Sequence, residues 1–386
     1  LASCLFACSD KDTSYEVVKN DLRAPAYPLV TIDPYASAWS MSDNLYDSPV
    51  RHWTGKDFPL IGVVKVDGVS YRFMGTEELE MNAIVPTSQQ GEWTGRYITD
   101  KPAGDWTSAD YNDSGWKSDR GAFGTKENEP TAKTQWGTRN IWVRRTVNID
   151  RDLTGIPVYL EFSNDDDAVF YINGVKIHST GTTCNKNKVV KLSDEALAAL
   201  KQGDNIIAAE CINPVGNGLL DFGLQIPKHQ ETVFGNTAVQ TSADVQPMQT
   251  HYAFTCGDVD LKVTFTAPLF MEDLKLLSRP VNYLTYSVAA RDGKEHDVEV
   301  YFEASPRWAL DQPYQQSASE GYEADGLLYL KSGSKEQNIL AKQGDDLRID
   351  WGYFYMVSGK ENTAYSIGNS TELRKNFVNG TFNSAS

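Results

Sequence analysis

The stretch VYLEFSNDDDAVFYINGVKI, residues 158–177, decides the fold of the middle of the chain. Its two apolar runs, VYLEF and AVFYI, have the length and the β-branched and aromatic content of strands. Asn173-Gly174 follows the second run and favours the two positive φ angles of a two-residue hairpin turn. The stretch therefore predicts neighbouring strands with a hairpin at this dipeptide.

Short strands continue on both sides of this stretch. Similar apolar segments, bounded by turn residues, occupy residues 140–149, 203–213 and 219–226. Residues 104–116, GDWTSADYNDSGW, predict a loop pinned by its two tryptophans, since Asp, Asn, Ser and Gly favour turns. We expect one self-contained β-sandwich over residues 104–226.

A single helix is predicted in this region. The segment SDEALAALKQG, residues 193–203, spaces Ala and Leu at helical intervals, with Ser193 as N-cap and Gly203 as the stop signal. All other segments with a clear pattern, up to the end of the chain, predict strands. The fold class expected from the sequence is therefore all-β.

Length and composition restrict the classes of function. A chain of 386 residues is expected to form two or three domains. Its net charge of −16 repels nucleic acid and anionic membrane surfaces, so we expect neither as a partner. The five cysteines and five histidines show no zinc-site spacing, so we expect no metal and no cofactor. Cys184 and Cys211 either form a disulfide or remain buried free thiols.

The N-terminal sequence LASCLFACSDKD is similar to the end of a bacterial lipoprotein signal peptide. Cys4 fits the residue types that precede a lipidated cysteine, whereas Cys8 is followed by an acidic stretch typical of some surface lipoproteins. Residues 1–21 are therefore interpreted as signal tail and linker. They predict a lipid-anchored protein of the cell envelope, in the outer membrane or periplasm.

The region assigned to residues 101–227 contains four framework motifs: DSGW at 113–116, WVRR at 142–145, FYING at 170–174 and GDNII at 203–207. The motifs carry a resemblance to the galactose-binding-like jelly roll of the β-galactosidase and β-glucuronidase type of glycoside hydrolase, here as an insertion. It implies a carbohydrate-binding site at Trp136, Arg139 and Asn140, where an exposed ring stacks on a sugar. Alternatively, these residues only hold the jelly roll together.

The flanking regions contain motifs in a fixed order, among them DPYASAWSMSDNL, RHWTGKDFPLIGVVKVDGVSYRFMG, PMQTHYAF, DLKLLSRPVNYLTYSV and RIDWGYFYM. The motifs carry a resemblance to the N-terminal half of the glutaminase A family. It implies that residues 22–100 and 228–386 form a second β-sandwich. It also implies a further α/α-toroid catalytic domain, which would leave this part of the protein inactive alone. Whether the parent is an amidohydrolase acting on a small amide or a glycosidase stays open.

The best substrate-binding candidates lie on an irregular segment before the first hairpin. They are Asp43, Asn44, Arg51, His52, Trp53 and Asp57. Trp53 is suited to stacking and Arg51 to binding a carboxylate or hydroxyl. Alternatively, Arg51 and Asp43 pair structurally and Trp53 seals the sandwich edge.

Two other groups of residues have weaker claims. In RIDWGY, residues 348–353, Arg348 and Asp350 are candidates, but Ile349 and Trp351 alternate as packing residues do. The run Asp165 to Asp167 suits calcium or a solvated turn. No GxSxG elbow occurs, so no nucleophile is identified.

Three functions follow from these observations. The first is a non-catalytic β-sandwich region that supports the hydrolase. The second is a carbohydrate-binding module, and the third is a scaffold for protein interactions.

Overall fold

The computed structural model describes residues 2–4, 22–128, 131–214, 216–228, 232–313, 315–343 and 347–382. The chain forms two compact units: an inserted unit, Leu79–Gln230, and an outer unit that combines Leu1–Glu78 with Glu231–Ser386. Strands dominate both, which confirms the all-β fold class. The insertion begins at Leu79, earlier than the predicted residue 101, because the strands over residues 81–85 and 94–98 pair within its sheets.

The described part of the outer unit before the insertion consists of strands and irregular segments. The strands are β1 (Ala2–Cys4), β2 (Tyr27–Asp33), β3 (Ala36–Ser40), β4 (Arg51–His52), β5 (Leu60–Val66) and β6 (Val69–Met74). The turn between β5 and β6 lies at Asp67-Gly68, whose φ angles are +48° and +85°. This dipeptide gives the hairpin the backbone twist that its strands require.

The inserted unit contains the strands β7 (Met81–Val85), β8 (Thr94–Ile98), β9 (Lys117–Arg120), β10 (Phe123–Gly124), β11 (Thr134–Gln135), β12 (Asn140–Ile149), β13 (Tyr159–Asp165), β14 (Asp167–Ile172), β15 (Val175–Ser179), β16 (Asn185–Lys191), β17 (Gly203–Ile212) and β18 (Leu219–Pro227). Its helix, α1 (Asp194–Ala199), begins at the predicted N-cap: the Ser193 side chain accepts a hydrogen bond from the Ala196 amide.

Two sheets of the inserted unit enclose one core. One sheet has the order β11-β10-β18-β13-β16, with β7 also on β18, and the other has the order β15-β14-β17-β12-β8-β9. Phe162, Phe170 and Phe222 are fully buried, and the Phe170 and Phe222 rings meet edge to face at 5.8 Å. Residues 158–177 supply both sheets, so they set the β-sandwich as expected.

After the insertion the outer unit continues with β19 (Asn236–Thr237), β20 (Val239–Gln246), β21 (Gln249–Cys256), β22 (Val259–Thr266), α2 (Leu274–Leu277), β23 (Tyr283–Ala290), β24 (Val298–Ala304), β25 (Ser317–Ala324), β26 (Leu327–Ser334), β27 (Phe354–Gly359), β28 (Thr363–Ala364) and α3 (Ser370–Val378). The sheet orders are β19-β6-β5-β24-β1-β28, β2-β3-β4, β20-β21-β22-β23 and β25-β26-β27.

Strand β5 is the centre of the outer unit, because all of its residues are buried. Val64 and Val66 belong to a core that includes alternate residues of β21 and β22. Ile61 and Val63 belong to a second, smaller core with Phe377 of α3. Parts of the chain on either side of the insertion therefore complete one folded unit, as the resemblance implied.

Helix α3, together with the one-turn helix α2, corrects the expectation that no further helix occurs before the end of the chain. Asn369 caps it by accepting a hydrogen bond from the Glu372 amide, and Gly380 follows it with a φ of +68°. An N-cap followed by Glu three positions later is a known helix-start signal. The apolar pattern of this segment is weak, so the cap is the main sign of the helix in the sequence.

Among the described cysteines, Cys184, Cys211 and Cys256 are free thiols. Cys211 is buried, and its thiol lies 3.5 Å from the Asp165 carbonyl oxygen. Both cysteines of the inserted unit are therefore free thiols, but Cys184 is exposed, so the expectation of a buried thiol holds only for Cys211. No helix of the described residues has the length and apolar character needed to cross a membrane.

Candidate functional site

Arg51 and Asp57 are two of the predicted substrate-binding residues, and they pair with each other. The Arg51 Nε atom lies 3.0 Å from Asp57 Oδ1, and both side chains are 37% exposed. Strand β4 places Arg51 opposite Trp39 of β3. The expected partner, Asp43, instead lies 2.7 Å from Arg23 on the surface. The predicted pairing of Arg51 with Asp43 is therefore wrong.

His52 does not face solvent, so its assignment as a substrate ligand is corrected. Its residue is 1% exposed, its Nδ1 lies 2.9 Å from Thr54 Oγ1, and its Nε2 lies 2.9 Å from the Pro34 carbonyl oxygen. The ring also packs against Phe58 at 5.1 Å. A histidine held in this way fixes the segment and has no nitrogen left to bind a ligand.

Trp53 is the candidate that fits a stacking role. It is 57% exposed, and its indole N–H donates to the Pro34 carbonyl at 2.7 Å. One end of the ring is therefore fixed while much of it faces solvent. The exposure rules out the alternative that Trp53 seals the sandwich edge. Asn44 donates instead to Asp47 at 2.8 Å, so the six candidates do not converge on one point.

A cavity of about 280 Å³ lies inside the outer unit, under the sheet β25-β26-β27. Its apolar wall includes Leu330, Phe354 and Met356 from the inner face of that sheet. Its polar wall includes Glu78, Glu303 and Arg374. Sequence reasoning identified none of these three residues, because they lie far apart in the chain. The sequence contains 36 Lys and Arg and 52 Asp and Glu residues, and nothing local distinguishes these three from the rest.

Arg374 is the central charge of this cavity and is 3% exposed. Its Nε and Nη2 atoms donate to both oxygens of Glu303 at 3.0 Å and 2.5 Å. A second carboxylate, Glu77, lies 3.6 Å from Arg374 and accepts the backbone N–H groups of Val233 and Phe234 at 2.9 Å and 2.8 Å. Burial acts to lower the pKa of Arg374, but Glu303 and Glu77 outweigh it and raise that pKa.

Tyr301 completes this cluster by donating its hydroxyl to Glu303 at 2.7 Å. Burial, together with the Glu303 charge, raises the pKa of this phenol. The Glu303 carboxylate therefore accepts three hydrogen bonds from Arg374 and Tyr301. Such a fully engaged carboxylate is a structural group, because a nucleophile or base needs a lone pair directed at substrate.

Glu78 forms the more open part of the cavity wall. Its carboxylate lies 2.5 Å from Arg307, and the two side chains are 40% and 34% exposed. Partial burial, with the nearby charges of Asp57 and Glu303, raises the pKa of Glu78 despite Arg307. Glu78 is the carboxyl group here best suited to exchange a proton with a bound molecule.

The RIDWGY candidates hold a separate structural network. Arg348 and Asp311 form a buried pair at 3.2 Å. Lys342 lies 2.7 Å from Asp350 and 3.1 Å from Asp311. Burial acts to raise the pKa of Asp350, but Lys342 and Gln315 outweigh it and lower that pKa. These partners favour the packing interpretation of the motif over the catalytic one.

Trp136 corrects the predicted carbohydrate site of the inserted unit. It is 2% exposed, and its indole N–H donates to Thr138 at 3.1 Å and to the Asn140 carbonyl at 3.2 Å. A buried ring cannot stack on a sugar, because that contact needs an open aromatic face. Arg139 is exposed and Asn140 is half-buried, so only the framework role of Trp136 remains.

The run from Asp165 to Asp167 joins β13 to β14. Asp167 Oδ2 accepts a hydrogen bond from Thr182 at 3.1 Å, and burial raises the pKa of Asp165. In the part of the chain that the structure describes, no three His, Cys, Asp or Glu side chains are placed to hold a metal ion. Of the predicted lipidation sites, Cys8 lies outside the described residues and Cys4 is described only as part of β1.

Two families of domains of unknown function match the two parts of the outer unit. Residues 1–86 match the Domain of unknown function DUF4964, and residues 248–386 match the Domain of unknown function DUF5127. One curated relative is Glutaminase A of Aspergillus oryzae, which is 28% identical over 145 residues. The match covers 37% of this chain and 21% of that protein, so the chain spans only a small part of its relative.

Solved structures with partial similarity include glycoside hydrolases of family 2. The Bacteroides uniformis β-glucuronidase 2, covalently bound to cyclophellitol-6-carboxylate aziridine, is 9% identical, with a TM-score of 0.31 over 73% of this chain and 32% of that chain. A family 2 member from Bacteroides cellulosilyticus is 13% identical, with a TM-score of 0.28 over 69% and 36%. These TM-scores are too low to identify a shared overall fold.

Proposed function

We propose that this chain is the β-sandwich region of a cell-envelope hydrolase related to glutaminase A, and that it supports a separate catalytic region without turning over substrate itself. The observation that carries this proposal is the 28% identity to Glutaminase A over 145 residues, which is 21% of that protein. The wider activity of such a parent, on a small amide or a carbohydrate, belongs to the same proposal. Its α/α-toroid catalytic region is the proposed main partner.

The buried ion pairs of the outer unit favour a structural role for this chain. Glu303 and Glu77 are engaged by Arg374 and by backbone amides, and Asp311 is engaged by Arg348. Hydrogen bonds of this kind hold segments distant in sequence together. They fix side chains in one geometry, which favours a rigid support over a site that must change protonation during turnover.

The exposed groups around Trp53 are the proposed contribution to a substrate site. Trp53 offers an open ring, while Arg51 and Asp57 are partly exposed beside it in sequence. The charge of Asp57 also contributes to the raised pKa of Glu78 in the cavity wall. These residues would contact substrate held by the catalytic region, in the manner of loop residues carried on a scaffold.

A panel of hydrolase substrates tests the proposal. The purified chain is incubated with L-glutamine and with neutral nitrophenyl glycosides, and release of ammonia or nitrophenol is followed. We expect no more release than heat-denatured protein gives, because Glu303, Glu77 and Asp311 are engaged in structural pairs. Release that co-purifies with the chain and disappears in Glu78→Gln would overturn the supporting role.

The cell-envelope location has its own test. Metabolic labelling with a radioactive fatty acid should label the protein when the full gene is expressed in a Gram-negative host, since multiple acyl chains give stable anchoring. Cys8→Ala should remove the label, with Cys4→Ala as the comparison. A wild-type protein that takes up no label would contradict the lipoprotein prediction.

A further inference from the structure

The outer face of the sheet β25-β26-β27 carries an unusual concentration of tyrosines. The register places Tyr322 of β25 opposite Tyr329 of β26, and Lys331 of β26 between Glu320 and Tyr355. Because alternate residues of a strand share a face, these side chains all lie on one side of the sheet. The opposite side carries Phe354 and Met356, which line the cavity.

The rings on this face, which we call the tyrosine platform, are open to solvent. Tyr322 is 39% exposed, Tyr355 is 43% exposed and Tyr353, next to β27, is 49% exposed. The rings of Tyr322 and Tyr329 are parallel within 6°, at a centroid distance of 5.0 Å. In the described residues β25 pairs only with β26, so the far face of Tyr322 has no strand beside it.

A charged pair borders the rings. The Lys331 ammonium lies 2.8 Å from Glu320 and 4.0 Å from the centre of the Tyr353 ring. The platform therefore combines open aromatic faces with one donor group and one acceptor group whose charges cancel. This local neutrality contrasts with the net charge of −16 of the whole chain.

We propose that the tyrosine platform binds a neutral carbohydrate chain. The C–H face of a pyranose ring packs on an aromatic face, and its hydroxyls exchange hydrogen bonds with an ammonium and a carboxylate. Neighbouring strands lie about 4.8 Å apart, so β25 and β27 are about 10 Å apart, which suits two consecutive sugar units. A local charge of zero favours a neutral glycan over an anionic one.

This inference goes beyond the supporting role proposed above, because it assigns a ligand to a surface distant in sequence from Trp136 and Trp53. It also differs from single-stranded nucleic acid binding, which uses stacking platforms inside positively charged grooves. Here the only described cation on the platform face of the three strands is already paired with Glu320. Charge complementarity therefore selects a neutral polyol.

Affinity electrophoresis tests the proposal. The purified full chain is run in native gels that contain soluble neutral polysaccharides: galactan, xylan, mixed-linkage glucan or galactomannan. We expect at least one to retard the wild type, and Tyr322→Ala and Tyr355→Ala each to weaken the affinity by about tenfold, as the loss of an aromatic contact should. Tyr322→Phe should keep most of the affinity.

Two matched variants make the result decisive. Tyr283→Ala removes a tyrosine that is 48% exposed on β23, in a different sheet, and should leave retardation unchanged. Arg139→Ala alters the loop of the inserted unit and should also leave it unchanged. The proposal fails if no polysaccharide retards the wild type, if the platform variants bind as the wild type does, or if Arg139→Ala alone abolishes binding. Thermal melting of each variant establishes that it is folded.

Discussion

Arg374 shows at the residue scale how the outer unit is held together. It connects α3 to β24 through Glu303 and to the segment before the insertion through Glu77. Since all three side chains are largely buried, each depends on the others for its charge to be tolerated. The cluster therefore fixes three parts of the chain that are distant in sequence.

Replacing this arginine gives the first prediction. Arg374→Met leaves two buried carboxylates without their cation and should lower the free energy of unfolding by about 3–5 kcal/mol. Arg307→Met is the matched control, because its pair with Glu78 is partly exposed and should contribute less than about 1 kcal/mol. Chemical denaturation measures both. Equal losses in the two variants would contradict the structural role of Arg374.

His296 gives a prediction about pH. Its Nδ1 lies 2.7 Å from Asp67 and its Nε2 lies 2.9 Å from Asp292, so the protonated ring links two turns. Hydrogen bonds to Asp67 and then Asp292 raise the pKa of His296, while His296 lowers the pKa of both carboxyls. Lys294, 2.9 Å from Asp292, adds to the second shift.

The directions of these pKa shifts define the pH range in which the link stabilises the fold. A raised histidine pKa stabilises the fold fully below about 6.5, the ordinary value, and this contribution disappears as pH rises through the folded value. The lowered carboxyl pKa values stabilise it above about 3.9 and lose effect in more acidic solution. The difference in melting temperature between wild type and His296→Gln should therefore be largest near about pH 5.5 and smaller at about pH 8.5. A difference independent of pH would show that the link is not ionic.

At the scale of elements, α3 covers one face of β5. Phe377 is fully buried against Ile61 and Val63, and the Lys65 ammonium donates to the Phe377 carbonyl at 3.0 Å. The helix is short, so its cap matters for its stability. Its position explains why β5 is buried on both faces.

The N-cap provides the element-scale prediction. Asn369→Ala removes the acceptor for the Glu372 amide and should cost about 1 kcal/mol of stability. Lys375→Ala, at an exposed position of the same helix, should change stability by less than about 0.5 kcal/mol, because Lys and Ala have similar helix propensities. Urea denaturation compares the two. A cost for Lys375→Ala as large as that for Asn369→Ala would reject the capping role.

Elements with a strict two-residue period could be predicted from sequence. Inward and outward side chains alternate along both β21 and β22, so the two-residue period is visible in their sequence. The RIDWGY motif was harder to interpret, because Arg348 and Asp350 form ion pairs in an irregular segment before β27. Local apolar content cannot show that polar partners from residues 311–342 fix the backbone there.

Sites were harder to predict than strands for a similar reason. Trp136 and Trp53 are both tryptophans in polar loops, yet one is 2% exposed and the other 57%. Burial of a loop tryptophan depends on which strands close over it, and that is a long-range property. The cavity around Glu78 and Arg374 likewise joins residues that no local motif connects.

At the scale of the whole molecule, an inserted β-sandwich interrupts an outer unit whose two parts match DUF4964 and DUF5127. The match to Glutaminase A spans 145 residues, which is 21% of the length of that protein. The inserted unit has its own aromatic core, and the outer unit has cores of its own. This architecture suits a support that presents surfaces, such as the tyrosine platform, to other molecules.

The most direct test of this account is ammonia release from L-glutamine by the purified chain, measured beside Glu78→Gln. Glu78 is the described cavity carboxyl with the raised pKa, so its amide variant removes the best proton donor without changing the size of the side chain. We expect neither form to release more ammonia than heat-denatured protein does. Release by the wild type that falls sharply in Glu78→Gln would contradict it and identify the cavity as an active site.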